Sequence, residues 1–170
     1  MVVSDVELDE AASALGELLE AQGRMIVTAE SCTGGWVAKA LTDKAGSSAY
    51  VTGGLVTYSN EAKKRLLGVS DQSLVEHGAV SEPVVREMVA GAVAATGADI
   101  AVAISGVAGP GGGSPDKPVG TVWFAWGDGI HGIEAEVKRF DGDRNAVRRQ
   151  SVLYVLQSVT GFVRALSADS

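Results

Sequence analysis

Cysteine, histidine and positive charge are scarce in this chain, and each shortage excludes a class of protein. Cys32 is the only cysteine among 170 residues, so no disulfide can form within the chain. With only 2 histidines beside it, the sequence offers no metal-ligand spacing, and we expect neither a metal nor another cofactor. The 14 basic residues are outnumbered by 21 acidic ones, which gives a net charge of −7. That balance argues against a nucleic-acid partner, because such binding needs a basic face.

Long hydrophobic runs are also missing. No apolar run approaches the roughly 20 residues that span a bilayer. The first ten residues, MVVSDVELDE, are acidic where a secretory signal needs positive charge. We therefore expect a cytoplasmic enzyme or binding domain that does not contact a membrane, and a small anionic ligand held by one or two arginines remains compatible with the charge.

Helical and strand patterns alternate along the whole chain. Ser4 and Glu7 form a capping-box pattern, the glycine pair Gly53-Gly54 indicates a bulge or a close backbone approach, and Gly127-Asp128-Gly129 predicts a hairpin turn. The predicted helices cover residues 4–23, 33–44, 60–67, 81–97 and 143–166, and the predicted strands cover residues 24–29, 50–58, 99–105, 119–126 and 130–140. The pattern predicts one three-layer α/β/α sandwich over residues 1–170, with a mixed, mostly parallel sheet.

The segment from Glu30 to Gly35, ESCTGG, follows a short apolar strand and begins a helix. Backbone N–H groups at such a junction could hold an oxyanion next to a nucleophilic Ser31. Ser31 or Thr33 could equally be a helix N-cap, because Ser and Thr are preferred there. Cys32 has no histidine nearby, which disfavours a Cys/His pair.

Two further junctions carry polar groups. Asn60 is a suitable N-cap that places Lys63 in the first helical turn, where the helix dipole and partial burial would lower the pKa of a lysine base. Alternatively, Lys63 and its neighbours form a solvated basic face. The glycine-rich segment 105–113 follows a buried strand, but it lacks both the P-loop ending and the dinucleotide fingerprint. It remains a candidate for wrapping a small ligand.

Five segments in order resemble the C-terminal domain of the CinA (competence/damage-inducible) proteins. They are ESCTGG at 30–35, YSNEAKKRLLGV at 58–69, AISGVAGPGGG at 103–113, PVGTVWFA at 118–125 and FDGDRNAVRRQ at 140–150. The resemblance covers about residues 5–166. It implies a mixed-sheet α/β/α sandwich and, for a stand-alone chain, hydrolysis of nicotinamide mononucleotide to nicotinate mononucleotide and ammonia in pyridine nucleotide salvage.

The resemblance also implies a catalytic set of Ser31 as nucleophile with Tyr58 and Lys63. It therefore favours a nucleophilic role for Ser31 over a role as helix N-cap. Lys63 would accept the serine proton directly or through Tyr58, and Lys64 is the alternative base if the register is shifted by one residue.

Arg144 matches the family's substrate-binding arginine, whose planar fork suits a 5′-phosphate. Ser105 stands where similar sequences often have threonine. The predicted substrate contacts are Glu30, Cys32, Thr33, Gly34, Gly35, Asn60, Ser105, Gly106, Gly109, Gly111 and Arg144.

A second function from another class remains open. The chain could be a catalytically inactive module that binds a nucleotide or a partner in competence or DNA-damage responses. The three catalytic positions are all occupied, which counts against this alternative. The three tryptophans and the apolar last helix leave room for a homodimer, but nothing in the sequence specifies one.

Overall fold

A mixed β-sheet forms the centre of the computed structural model, which describes residues 2–168. In these residues the sheet has five strands in the order β2-β1-β3-β4-β5. The strands are β1 (Ile26–Glu30), β2 (Val51–Val56), β3 (Ile100–Gly106), β4 (Thr121–Asp128) and β5 (Gly132–Arg139). β1 pairs in parallel with β2 and β3, whereas β4 is antiparallel to both of its neighbours. Only β4 therefore runs against the other strands, and the predicted mixed, mostly parallel sheet is confirmed.

Six α-helices surround the sheet within residues 2–168. They are α1 (Asp5–Gln22), α2 (Trp36–Thr42), α3 (Asn60–Leu67), α4 (Asp71–His77), α5 (Glu82–Thr96) and α6 (Arg144–Ala168). None of the helices in this part of the chain is both long enough and apolar enough to cross a membrane. Helix α4 is not among the predicted helices, although Ser70 caps its first turn and Gly78 follows its last residue.

The helices form a layer on each face of the sheet because side chains of a strand point to alternate faces. Ile100, Val102 and Ile104 pack against α1, α2 and α6. Ala101 and Ala103, between them in sequence, pack against α3 and α5 on the other face. The three-layer α/β/α sandwich predicted from the sequence is confirmed.

Several boundaries differ from the prediction, and two of the differences have a clear physical cause. The hairpin turn lies at residues 129–131, because the Asp128 carboxylate accepts hydrogen bonds from the Ile130 and His131 N–H groups and Gly127 stays within β4. The second helix begins at Trp36 and not at Thr33. Gly34 and Gly35, with φ of 60° and 101°, have left-handed backbones that a continuing α-helix cannot contain.

The carboxyl ends of the three parallel strands meet at one edge of the sheet. β1 lies between β2 and β3, so the chain that leaves β1 turns to one side and the chain that returns to β3 lies on the other. Such a topological switch opens a crevice outside the strand ends, which is the usual ligand site of an α/β sheet. Ser31, Thr57 and Gly106 stand at these three ends.

Candidate active site

A pocket of ≈ 240 Å³ opens at this switch point. It is lined by Ser31, Cys32, Tyr58, Asn60, Lys63, Ala79, Val80, Ser105, Gly106, Ala108 and Arg144. The three predicted catalytic residues and five of the predicted substrate contacts therefore share one pocket. They come from the ends of all three parallel strands, from α3, and from the start of α6.

Ser31 and Lys63 are in direct contact at the bottom of the pocket. Lys63 Nζ lies 2.9 Å from Ser31 Oγ, 2.9 Å from the Thr57 carbonyl oxygen and 3.2 Å from the Tyr58 carbonyl oxygen. The lysine side chain is buried, with 1% of its surface exposed, and burial lowers its pKa. A neutral amine has two N–H groups and one lone pair. It can donate to both carbonyls while its lone pair accepts the Ser31 hydroxyl proton.

The arrangement of α3 decides which lysine enters the pocket. Lys63 and Leu67, four residues apart, form its buried side. Lys64 points outward to Glu61 and Asp71, at 3.3 and 3.0 Å, and these carboxylates raise its pKa. The buried amine in contact with Ser31 is thus that of Lys63. The N-cap of α3 is Ser59 and not Asn60, because Ser59 has an extended backbone and its Oγ accepts the Ala62 N–H.

The Glu30 carboxylate caps the first turn of α2. Neither Ser31 nor Thr33, the two N-caps considered from the sequence, has this role. One carboxylate oxygen accepts hydrogen bonds from the Thr33 hydroxyl at 2.7 Å and the Val37 N–H at 2.9 Å. The other accepts from the Ala38 N–H at 3.0 Å. A carboxylate is favourable at the positive end of a helix. The helix therefore does not use the Ser31 hydroxyl, which is left to face Lys63.

Several predicted substrate contacts do not line the pocket. Glu30 and Thr33 are buried against α2, with 1% and 0% of their surfaces exposed. Gly34 and Gly35 lie on the other side of the turn, beside Trp36 and Arg148. Gly111 is exposed and also lies outside the lining. These residues shape the backbone around Ser31 or extend the glycine-rich loop, and none of them lines the pocket.

The backbone N–H groups of the Ser31 turn are only partly free. The Ser31 N–H donates to the Ile104 carbonyl at 3.0 Å, and the Gly34 N–H donates to the Ser31 carbonyl at 3.1 Å. Of the N–H groups of residues 32–35, which follow the nucleophile, the Gly34 N–H is therefore already used. Within residues 2–168, the N–H groups of Cys32, Thr33 and Gly35 donate to no backbone carbonyl. Gly35 lies on the other side of the turn, which leaves Cys32 and Thr33 as the candidates.

Cys32 lines the pocket, but its thiol is not activated as a thiolate nucleophile. Burial raises the pKa of its thiol to about 11, against a weaker opposing effect of backbone N–H groups and Arg148. The thiol therefore keeps its proton, whereas cysteine nucleophiles act as thiolates.

Arg144 and Tyr58 form the outer part of the pocket. Arg144 Nη1 donates to the Gly109 carbonyl at 2.8 Å, and Nη2 donates to the Tyr58 hydroxyl at 3.2 Å. Gly109 thus acts on the pocket through Arg144 and does not line it. The Tyr58 ring is largely exposed, and its phenol faces Arg144, while its carbonyl holds Lys63. The positive charge at the mouth suits an anionic group of a ligand.

Three apolar lining residues, Ala79, Val80 and Ala108, are not among the predicted site residues. Ala79 and Val80 come from the connection between α4 and α5. Small apolar residues in a connection have no recognisable motif, and without α4 their position could not be inferred. They provide an apolar wall next to the polar Ser31–Lys63 pair.

The fold and the pocket define an α/β/α protein with a serine–lysine pair at the switch point of a mixed sheet. The family model of the CinA C-terminal domain matches residues 8–163, so the chain belongs to that family.

Similar proteins agree with this membership over most of the chain. Nicotinamide-nucleotide amidohydrolase PncC of Escherichia coli strain K12 is 56% identical over 161 residues, which are 92% of this chain and 95% of that protein. The protein of the same name from Pseudomonas putida is 56% identical over 148 residues, with 87% and 92% covered. A crystal structure of a CinA superfamily protein from Klebsiella pneumoniae 700603 superposes with a TM-score of 0.89 at 43% identity, covering 93% of this chain and 98% of that one.

Proposed function

We propose that this chain is an amidohydrolase that converts nicotinamide mononucleotide and water to nicotinate mononucleotide and ammonia, in pyridine nucleotide salvage. The observation that carries the chemistry is the 2.9 Å contact between Ser31 Oγ and the amine of the buried Lys63. The names of the similar proteins support the substrate, since they are nicotinamide-nucleotide amidohydrolases. The pocket has groups suited to both ends of this substrate.

The substrate phosphate binds at the mouth of the pocket and the carboxamide at its bottom. Arg144 engages the 5′-phosphate, because a guanidinium can donate to two phosphate oxygens at once. Ala79, Val80 and Ala108 pack against the pyridine ring. The Ser105 hydroxyl lies in the same pocket and contacts the substrate near the carboxamide.

Acylation begins with proton transfer from Ser31 to Lys63. Neutral Lys63 accepts the hydroxyl proton directly as Ser31 Oγ attacks the carboxamide carbon. Backbone N–H groups of the Ser31 turn stabilise the oxyanion, and one such donor is worth roughly 3–4 kcal/mol in comparable sites. Protonated Lys63 then gives its proton to the departing amine. The C–N bond breaks, ammonia leaves, and Ser31 carries an ester of nicotinate mononucleotide.

Deacylation repeats the same proton route with water. Lys63 accepts a proton from water, which attacks the ester carbon. The tetrahedral intermediate collapses, the C–O bond to Ser31 breaks, and Lys63 returns the proton to Ser31 Oγ. Nicotinate mononucleotide is released, and the serine and lysine regain their starting forms.

Tyr58 takes part without relaying protons. The Ser31–Lys63 contact is direct, and the Tyr58 phenol accepts a hydrogen bond from Arg144. Its carbonyl fixes the Lys63 amine, and its ring and phenol orient Arg144 toward the phosphate. The Tyr-relayed route considered from the sequence is therefore not part of this proposal.

The proposal is tested by incubating the protein with nicotinamide mononucleotide and measuring both products. Equal amounts of ammonia and nicotinate mononucleotide are expected. Binding of nicotinamide mononucleotide without turnover, seen by calorimetry, would instead favour the inactive nucleotide-binding module.

A further inference from the structure

Arg148 of α6 holds the turn that carries Ser31. Its Nε donates to the Cys32 carbonyl at 3.0 Å, and its Nη2 donates to the Thr33 carbonyl at 3.2 Å. The guanidinium also lies over the Trp36 ring, 5.4 Å from its centre. Arg148 does not line the pocket, but faces the turn from a separate surface depression that includes Thr33. One side chain thus fixes two consecutive peptide groups next to the nucleophile.

The hydrogen bond from Arg148 to the Cys32 carbonyl sets the direction of the Thr33 N–H. The Cys32–Thr33 peptide is trans, so its C=O and N–H point in opposite directions. Because the carbonyl faces Arg148, the Thr33 N–H faces away from it. Within residues 2–168 this N–H donates to no backbone or side-chain acceptor, whereas the Ser31 and Gly34 N–H groups each have one. An N–H without an acceptor, next to the nucleophile, is available to a ligand oxygen.

We propose that Arg148 is a positioning residue that presents the Thr33 N–H to the oxyanion formed when Ser31 is acylated. The inference rests on the proposed function, since it assigns a source for one of the donors that function requires. The guanidinium charge adds to the effect, because it lies close to the same peptide groups. Stabilisation of this kind is realised in the transition state, so it raises kcat and leaves KM nearly unchanged.

Arg148→Ala tests the proposal through the separation of kcat from KM. We expect kcat to fall about 100-fold, the effect of losing one oxyanion donor, while KM changes by less than about threefold. Added guanidinium should restore part of the lost rate. Arg148→Lys should restore less than the native arginine provides, because an ammonium cannot match the fork that engages both carbonyls.

Arg149→Ala is the matched control. Arg149 is the next residue of α6 and lies over the same Trp36 ring at 5.2 Å, but it binds the Val3 carbonyl and Asp5. Its kcat should stay close to the wild-type value. An equal loss in both variants would overturn the proposal, as would a rise in KM with unchanged kcat in Arg148→Ala. If Arg148→Ala does not fold, kcat and KM are compared between Arg148→Lys and Arg149→Lys, and the same outcomes support or overturn the proposal.

A second readout does not depend on nicotinamide mononucleotide. A fluorophosphonate probe labels an activated serine and needs the same oxyanion donors. We expect Ser31 labelling, followed by mass spectrometry, to be slower in Arg148→Ala than in Arg149→Ala. Equal labelling rates would contradict the role of Arg148. If the wild type is labelled in an Arg148-dependent manner but releases no ammonia from the mononucleotide, the proposed function fails and the role of Arg148 stands.

Discussion

Lys63 has the three acceptors that an ammonium would need, yet none of them is a carboxylate. Its contacts are Ser31 Oγ and two backbone carbonyls, and burial lowers its pKa from 10.5. Removing water disfavours the charged form, and without a carboxylate little restores it. At the scale of a single residue, Lys63 is suitable as a base because it forms no ion pair within residues 2–168.

The first prediction concerns the pH dependence of activity. Only neutral Lys63 can accept a proton, and its neutral fraction rises with pH through its pKa. We therefore expect kcat/KM to rise with pH and to level off at a pH below 10.5. A pH–rate profile with nicotinamide mononucleotide measures this directly. A rate that falls across the same range would contradict the assignment of Lys63 as base.

Two lysine variants test whether Lys63 acts as a base or only supplies a positive charge. Lys63→Arg keeps the positive charge, but a guanidinium cannot lose its proton, so kcat should fall about 100- to 10,000-fold. Lys64→Arg is the control, because Lys64 forms only outer ion pairs with Glu61 and Asp71. Its activity should remain near the wild-type value. Equal activities of the two variants would show that the assignment to Lys63 is wrong.

At the scale of elements, Glu30 joins the end of β1 to the start of α2. Its buried carboxylate accepts three hydrogen bonds, from Thr33, Val37 and Ala38. The cap fixes where the helix begins, and so it fixes the Ser31 turn between the two elements. A residue that does not line the pocket thereby determines where the nucleophile lies.

Glu30→Ala should therefore destabilise the protein without removing a pocket residue. Loss of these hydrogen bonds to a charged group should lower the free energy of unfolding by about 3 kcal/mol. For a chain of this size that corresponds to a fall in Tm of about 6–12 °C. Glu17→Ala, on the exposed side of α1, is the control and should change stability by less than about 0.5 kcal/mol. Equal melting temperatures of the two variants would rule out the cap.

The contact between β2 and α2 depends on one of two adjacent glycines. A Cβ at Gly54 would lie 2.7 Å from Thr28 Oγ1 and 3.0 Å from the Ala38 Cβ, whereas a Cβ at Gly53 meets nothing within 4 Å. Gly53 instead lies beside the bulge at Thr52, because Ile26 pairs with Val51 and Val27 pairs with Gly53. The glycine pair predicts a bulge or a close backbone approach. The bulge lies next to Gly53, and the close approach is at Gly54.

Gly54→Ala and Gly53→Ala should accordingly differ in stability. Overpacking at Gly54 should lower the free energy of unfolding by about 1–3 kcal/mol. Gly53→Ala should have a much smaller effect, since the new methyl group enters open space. Urea denaturation of both variants measures the difference. Equal losses would mean that the close approach at Gly54 does not constrain the packing of α2.

At the scale of the whole molecule, the sequence predicts local features better than contacts between distant segments. The capping box at Ser4 and the buried strand that contains Ser105 are both predictable, because each depends on neighbouring residues. The contact of Arg148 with Cys32 is not, since it joins residues 116 apart in the chain. Nor can a local pattern distinguish Lys63 from Lys64, because the difference depends on which side of α3 faces the sheet.

The same limit explains why several predicted substrate contacts do not line the pocket. ESCTGG is one unit in the sequence, but its residues face different directions. Ser31 and Cys32 face the pocket, whereas Glu30 and Thr33 face α2. Only two residues of the segment therefore line the pocket, although all six are adjacent in the sequence.

The central claim is that Ser31 forms an ester with the substrate, and its most direct test is ammonia release from nicotinamide mononucleotide by Ser31→Ala. The account predicts that this variant folds like the wild type, with an unchanged circular dichroism spectrum, and releases no ammonia above the uncatalysed rate. A folded Ser31→Ala variant that releases ammonia at the wild-type rate would contradict the account.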